Sequence, residues 1–406
     1  MHLPLAAASE ADLAGVLVDL FVILLAAKLG DELFKRLGQP GIVGEIVAGV
    51  LIGPSVLGLV APDEVFQVFA ELGVVFLLFW VGLETRLSDM RAVGPSASLV
   101  GALGVVLPFA GGIGLGFALG DGSAEAIFLG VALTATSVGI TSAVLIELGV
   151  LQSAAARTIL GAAVIDDVLA LLLLAVATGL ADGGGLDVGD LAVVLGIAIA
   201  FLAFFALVGT RVTQRWPRLL HAPRFSESPL LPAVLVCLGL AALAAEVGLA
   251  AVIGAFLAGM IVAETREQHP IEREVEPLYA FFPPFFFVFI GAELDLGSLA
   301  TGSALALLAG LTALAVVTKY AGAWLGARSL ARRDRKVVAL GMIPRGEVGI
   351  IVAGIGASAG VIGDERFAVI VAMSVATTLI APPLLRRALR EKNLEGGVDS
   401  AAARSS

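Results

Sequence analysis

Cysteine, histidine and charge are all scarce in this chain of 406 residues, and each scarcity removes a class of chemistry. The single cysteine, Cys237, sits inside an apolar run. Neither an intrachain disulfide nor a thiolate metal cluster can be built from it, and it reads as a small core side chain. The three histidines, His2, His221 and His269, fall in the N-terminal segment and in loops, leaving none in an apolar span for metal or proton work. Only 15% of the residues are charged and the net charge is −10, which speaks against a nucleic-acid partner. The start of the chain also lacks the basic residues of a signal peptide. Glu10 and Asp12 precede the first long apolar run, so the first span is expected to stay in the mature protein.

What is present in abundance is apolar surface. Hydrophobic residues make up 59% of the chain and its mean hydropathy is +1.01, values that a water-soluble domain does not reach. The expectation is an all-α polytopic membrane protein with the lipid bilayer as its solvent. Runs of about twenty apolar residues, bounded by charge, Pro or Gly, place thirteen spans near 12–30, 41–60, 65–83, 94–119, 124–147, 154–180, 188–210, 229–246, 248–263, 278–293, 299–327, 336–360 and 365–386. The eighth and ninth are separated only by Glu246-Val247-Gly248. Loops between spans then alternate between rich and poor in Lys and Arg, as the positive-inside rule requires. All but three of the 25 basic residues collect on one side, from Lys28, Lys35 and Arg36 through Arg211 to Arg224, Arg328 to Lys336 and Arg386 to Arg404. The opposite side holds Arg366 and acidic loops such as Asp63-Glu64 and Asp121 to Glu125. This predicts an N-terminus outside, a C-terminus in the cytoplasm and a location in the plasma membrane.

The other two exceptions, Lys319 and Arg345, fall within or at the edge of spans. Lys319 is about nine residues, or roughly 13 Å at helical rise, from the nearest cytoplasmic cluster, too far to snorkel comfortably. A buried partner is the better explanation. Acids are available in the sixth span, where Ile165-Asp166-Asp167-Val168 lies amid a long apolar run. Acids at such a depth mark ion paths or proton relays. Consecutive helical residues point about 100° apart, so Asp166 and Asp167 cannot both face one small target; one can turn to Lys319 while the other lines a cavity. A carboxylate in low dielectric holds its proton more tightly, and a bare Na⁺ or Li⁺ supplies the same compensating charge. Competition of proton and cation for one carboxylate couples their fluxes if the site opens to each side in turn.

Two further stretches interrupt apolar spans. Thr134-Ala135-Thr136-Ser137-Val138-Gly139 breaks the fifth, and Met342-Ile343-Pro344-Arg345-Gly346-Glu347 breaks the twelfth, where Pro removes a backbone donor. Seven spans apart, they run in opposite orientations, the pattern of inverted repeats with discontinuous helices meeting at midplane. Hydroxyls and unwound carbonyls of Thr134, Thr136 and Ser137 are expected to complete an oxygen shell for a hard cation. Arg345 and Glu347 read as structural charges fixing the core, each satisfying a broken-helix end or another buried charge. Asp19, Glu45 and Glu71 are not assigned to transport, and Gly101, Gly104, Gly111, Gly112, Gly114 and Gly116 read as close helix packing.

These motifs, with Ala163 to Leu169, together resemble the core of NapA-type bacterial Na⁺/H⁺ antiporters of the second monovalent cation:proton antiporter family. The resemblance covers nearly the whole chain. It implies an NhaA/NapA-like fold of 13 transmembrane helices and a homodimer. The dimerisation domain would comprise residues 1–93 and 229–298, the core ion-transport domain 94–187 and 299–390, with a linker helix at 188–228 and a cytoplasmic tail at 391–406. It also implies Asp167 as the ion-binding carboxylate for transported Na⁺, and Asp166 as the acid paired with Lys319. Kef-type relatives have Gln where Asp166 stands and carry a cytoplasmic nucleotide-binding domain, and electroneutral relatives replace that first acid by Asn. The Asp-Asp pair with a lysine therefore implies electrogenic exchange. No cofactor and no enzymatic activity are expected. The alternatives are K⁺/H⁺ exchange and a Na⁺-coupled organic solute symporter. An intramembrane aspartic protease would need its two acids to share a proton, whereas these point apart.

Overall fold

The computed structural model describes residues 10–85, 87–181, 196, 200, 230–263 and 271–404, and among the described residues the secondary structure is helical throughout. In chain order the helices are α1 (Glu10–Arg36), α2 (Gly41–Ile52), α3 (Glu64–Leu83), α4 (Leu87–Leu119), α5 (Ser123–Ala132), α6 (Val138–Glu147), α7 (Ala154–Ala181) and α8 (Leu230–Glu246). They continue with α9 (Ala251–Ala263), α10 (Ile271–Phe281), α11 (Pro283–Ala292), α12 (Gly302–Gly326), α13 (Arg332–Gly341), α14 (Glu347–Ser358) and α15 (Asp364–Arg404). Among the described residues, seven stretches are long and apolar enough to cross a membrane, including Leu13–Arg36, Ala154–Thr178 and Gly302–Gly326. Shorter apolar helices accompany them, including Ser123–Ala132, Val138–Glu147 and Val348–Ser358. Apart from residues 196 and 200, the span expected near 188–210, with the linker 188–228, lies outside the described residues, as does the loop 264–270.

Local chemistry sets the helix ends. Asp63 accepts from Phe66 N–H at 2.8 Å to cap α3, and Thr301 accepts from Ala304 N–H at 3.1 Å to cap α12. The narrow gap between the eighth and ninth spans is a real turn, because Gly248 adopts φ +82°, a backbone that glycine alone takes without strain. Two local features add detail to the expected elements. The tenth span is divided at Phe282 by Pro283-Pro284, whose missing N–H groups suit the start of a helix and not its interior. The segment after Glu391 continues α15 to Arg404 as helix.

The helices pack in two groups. Helices α4, α5, α7, α12, α13, α14 and α15 contact one another, with α6 lying on α7 and α15. Helices α1, α2, α3, α8, α9, α10 and α11 contact one another in turn. Across the seam between the groups, α6 meets α2 and α3, and α15 meets α2. Exposed Leu17, Phe21, Leu25, Leu29 and Leu33 on α1 form an apolar surface that lipid or a second protein would cover.

Glycine allows the close approaches. A Cβ on Gly82 of α3 would lie 2.2 Å from Phe256 O of α9, and one on Gly259 of α9 would lie 2.2 Å from Phe79 O. Backbones therefore touch where these helices cross. Gly101, Gly112 and Gly116 of α4 likewise abut α7 or α5, but Gly114 faces open space and does not belong to the packing set. Gly82→Ala is expected to cost about 1–3 kcal/mol through overpacking, read as a lower thermal midpoint in detergent, while Gly114→Ala leaves it unchanged. Equal shifts in the two variants would contradict this packing.

Candidate ion-binding site

Both interruptions seen in the sequence are breaks in helices, and they meet. α5 ends at Ala132 and α6 begins at Val138; α13 ends at Gly341 and α14 begins at Glu347. A helix end leaves backbone groups without intrahelical partners, and here each break satisfies the other. Ser137 N–H donates to Pro344 O at 2.9 Å, Thr141 Oγ1 donates to Gly341 O at 2.7 Å, and Thr136 Oγ1 lies 3.5 Å from Met342 O. A Cβ on Gly346 would sit 2.7 Å from Ser137 Oγ, so only glycine lets the two segments cross this closely.

The charged residues are anchored on this crossing. Lys319 of α12 and Asp166 of α7 are fully buried, with the Lys319 ammonium 2.9 Å from both carboxylate oxygens. Lys319 Nζ also donates to Thr134 O at 2.5 Å, placing a cation on a carbonyl at the end of α5, where the helix dipole favours positive charge. Thr136 Oγ1 donates to Asp166 Oδ2 at 2.5 Å. One carboxylate thus takes an ammonium and a hydroxyl, the compensation that a buried charge requires.

Asp167 points elsewhere. It is 5% exposed and lines a pocket of about 10 Å³ with Leu78 of α3, Val138 of α6, Leu160 and Val164 of α7, and Val252, Ile253 and Phe256 of α9. That is room for a single water-sized occupant. The pocket lies in the seam, with walls from both helix groups.

The oxygens expected around a cation divide differently. The Thr134 hydroxyl donates to Val131 O at 2.7 Å and the Thr136 hydroxyl serves Asp166, so neither is turned to Asp167. Ser137 packs at the crossing against Gly346. Arg345 is fully buried, and its Nη1 reaches Met342 O and Ile343 O at 3.5 and 3.4 Å, the carbonyls of its own broken segment. Glu347 begins α14, and its side chain lies outside what is described.

Comparison with known proteins gives this geometry a family. The model described as "Sodium/hydrogen exchanger, transmembrane" matches residues 21–391. The chain belongs to the sodium/hydrogen exchanger family. This exchanger-family chain is 38% identical over 368 residues to a Bacillus cereus protein named Na(+)/H(+)-K(+) antiporter GerN, covering 90% of this chain and 94% of that one. It is 37% identical over 415 residues to the high-affinity Na(+)/H(+) antiporter NhaS3 of Synechocystis, covering 92% and 90%. Among solved structures, the sodium proton antiporter MjNhaP1 from Methanocaldococcus jannaschii superposes with a TM-score of 0.65 at 17% identity, over 92% of this chain and 95% of that one, which shows a shared fold.

Sequence reasoning missed the residues that brace this exchanger's crossing from the side. Thr377 Oγ1 accepts from Arg345 N–H at 3.2 Å and Thr378 Oγ1 donates to Arg345 O at 2.6 Å. The signal was a polar Thr-Thr doublet inside the apolar run of α15. At one end of the molecule Arg366 of α15 binds Asp121 at 2.8 Å and Glu125 at 2.8 Å, tying α15 to the start of α5. Lys319→Ala strands Asp166 and is expected to cost on the order of 3 kcal/mol, measured as a lower thermal midpoint. Lys319→Met with Asp166→Asn recovers part of that loss. Strictly additive effects of the two changes would show that the pair carries no coupling.

Proposed function

We propose that this protein is a secondary antiporter exchanging Na⁺ or Li⁺ for H⁺ by alternating access, a transporter rather than an enzyme. The carrying observation is Asp167: a single carboxylate in the seam between two helix groups, beside a crossing of broken helices braced by Asp166 and Lys319. Such a carboxylate, walled by Leu78, Val252 and Phe256 and removed from bulk water, is suited to take up either a proton or a cation. Movement of one helix group against the other changes which end of the seam reaches it. Family membership and the names of the relatives support the Na⁺ and H⁺ assignment.

Under this reading α4 to α7 and α12 to α15 form the moving core, and α1 to α3 with α8 to α11 form the dimerisation domain of a homodimer. Residues 188–228 would link them, and the broken helices are the discontinuous members of inverted repeats in a 13-span, NhaA/NapA-like fold. The chain would lie in the plasma membrane with its N-terminus outside and its C-terminus in the cytoplasm, supported by the distribution of basic residues. Exchange would be electrogenic, with Asp166 and Lys319 able to pass an additional proton. Thr134, Thr136 and Ser137 then act through the Asp166–Lys319 pair and the crossing, while Arg345 and Glu347 hold the break. A K⁺/H⁺ reading is kept in view by GerN, whose name includes K(+).

The test is cation-induced proton movement in proteoliposomes with Na⁺, Li⁺ and K⁺, membrane potential clamped or free. Wild-type protein is expected to respond to Na⁺ or Li⁺ in a potential-sensitive manner, and Asp167→Asn to lose the response by at least a hundredfold while keeping its thermal midpoint. Coupled exchange retained in that variant would overturn the assignment, and a response to K⁺ alone would move it to potassium exchange.

A further inference from the structure

At the end of the seam away from Arg366, a carboxylate of one helix group meets a helix start of the other. Glu147, the last residue of α6, accepts from the Gly41 backbone N–H with both oxygens, at 3.1 and 3.0 Å. Gly41 is the first residue of α2, in the other group. α2 lacks a side-chain cap of its own, because Pro40 precedes it. Its exposed N–H groups and the positive end of its dipole are instead met by an acid from across the seam.

The surroundings are ionisable on every side. Lys28, Asp31 and Lys35 of α1, Glu45 of α2 and Tyr279 of α10 line, together with Glu147, a cavity of about 520 Å³ that also includes Leu77 and Ala143. Arg386 of α15 adds a further positive charge toward Glu147. Asp31 is already engaged by Lys35 at 2.6 Å and Lys28 at 3.3 Å. It packs so tightly over Gly41 that a Cβ there would lie 1.8 Å from Asp31 Oδ1, so Gly41 is the residue that lets the acid of α6 and the acid of α1 close on the same helix end.

A second cavity adjoins the pocket at Asp167. About 570 Å³ is enclosed between α3, α8, α9, α11 and α14, with Gln67, Glu71 and Glu293 among its walls. Val252 lines both this cavity and the small pocket at Asp167, whereas the cavity at Glu147 shares no described lining residue with that pocket. The pocket at Asp167 thus adjoins the Glu71 and Glu293 cavity through Val252 and has no described wall in common with the Glu147 cavity.

We propose that Glu147 is a pH-sensitive latch: ionised, it holds α6 to the start of α2 and keeps the Glu147 end closed to Asp167, and protonated at that end it releases α6. The proposal rests on the two-group alternating-access reading. Its sign follows from the bonds. A proton taken from the aqueous cavity removes the charge that both Gly41 contacts depend on, so acid at the Glu147 end favours the state in which Asp167 opens there, and alkali favours the state seen.

The experiment uses the full chain in proteoliposomes of defined orientation. In a Cys237→Ala background, Ala143→Cys reports access to the cavity floor through labelling with a membrane-impermeant maleimide from the Glu147 end. Rates are normalised to Ala280→Cys on the same cavity, which cancels the pH dependence of the thiol. With Glu147 intact, relative labelling is expected to rise as pH at that face falls, by up to about tenfold per unit, the limit for one proton. Glu147→Gln should label rapidly at every pH, and Glu147→Asp should keep a pH dependence with a shifted midpoint; the Asp variant serves alone if the Gln variant does not accumulate. Labelling in either variant that matches the parent in rate and midpoint overturns the latch. Exchange is measured in parallel. Exchange that needs Asp167, with labelling indifferent to Glu147, removes the latch and leaves the antiporter. Labelling that tracks Glu147 in a protein moving no cation removes the antiporter and leaves the latch.

Discussion

A fully buried ammonium must be surrounded by acceptors, and meeting that demand for Lys319 organises the centre of this molecule. Its three bonds run to both oxygens of Asp166 and to the carbonyl of Thr134, so one side chain ties α12 to α7 and to the broken end of α5. Thr136 then takes the remaining capacity of Asp166 from the same broken segment. An apolar side chain at Lys319 would leave the Asp166 carboxylate with only the Thr136 hydroxyl and no balancing charge in low dielectric, the costly arrangement in a protein interior.

Around that pair the backbone does what side chains ordinarily do. The helices break between Ala132 and Val138 and between Gly341 and Glu347, and Ser137, Thr141, Thr377 and Thr378 return hydrogen bonds to the exposed backbone groups. Irregular backbone in an apolar surrounding survives only when satisfied in this way. The crossing is therefore bonded to α7 and α12, and Asp167, adjacent in sequence to Asp166, lies beside it while lining the small pocket with residues of the other helix group.

The two ends of the seam are built differently. Near Arg366 the ties to Asp121 and Glu125 lie within one helix group, which stiffens that group without joining it to its neighbour. At the other end Glu147 joins the groups directly. Across the rest of the seam the contacts of α6 with α3 and of α15 with α2 are apolar in character, with Leu77, Leu78, Val138 and Val144 in one buried cluster. Such surfaces slide at small cost, whereas a charge-assisted cap is either made or broken.

Much of this was open to reading from residues alone. The unbroken apolar runs, the alternation of basic loops, the polar stretch at Thr134 and the Pro344-Arg345-Gly346 stretch are local patterns, and helix periodicity suffices to turn Asp166 and Asp167 to different neighbours. A lysine too deep to snorkel required a partner, and the structure sets Lys319 against Asp166. Which oxygens serve which acid was not legible, because Thr136 and Asp166 are 30 residues apart and their meeting depends on how α5 and α7 pack. Glu147 and Gly41 lie 106 residues apart, and no local pattern links them. Sequence by itself determined where the chain leaves water and where its helices break, since both follow from the transfer cost of nearby residues and from backbone donors lost at Pro or competed for by Thr. Only the tertiary structure decided which acid is locked and which faces the seam's small pocket, because distance between residues far apart in the chain is set by packing.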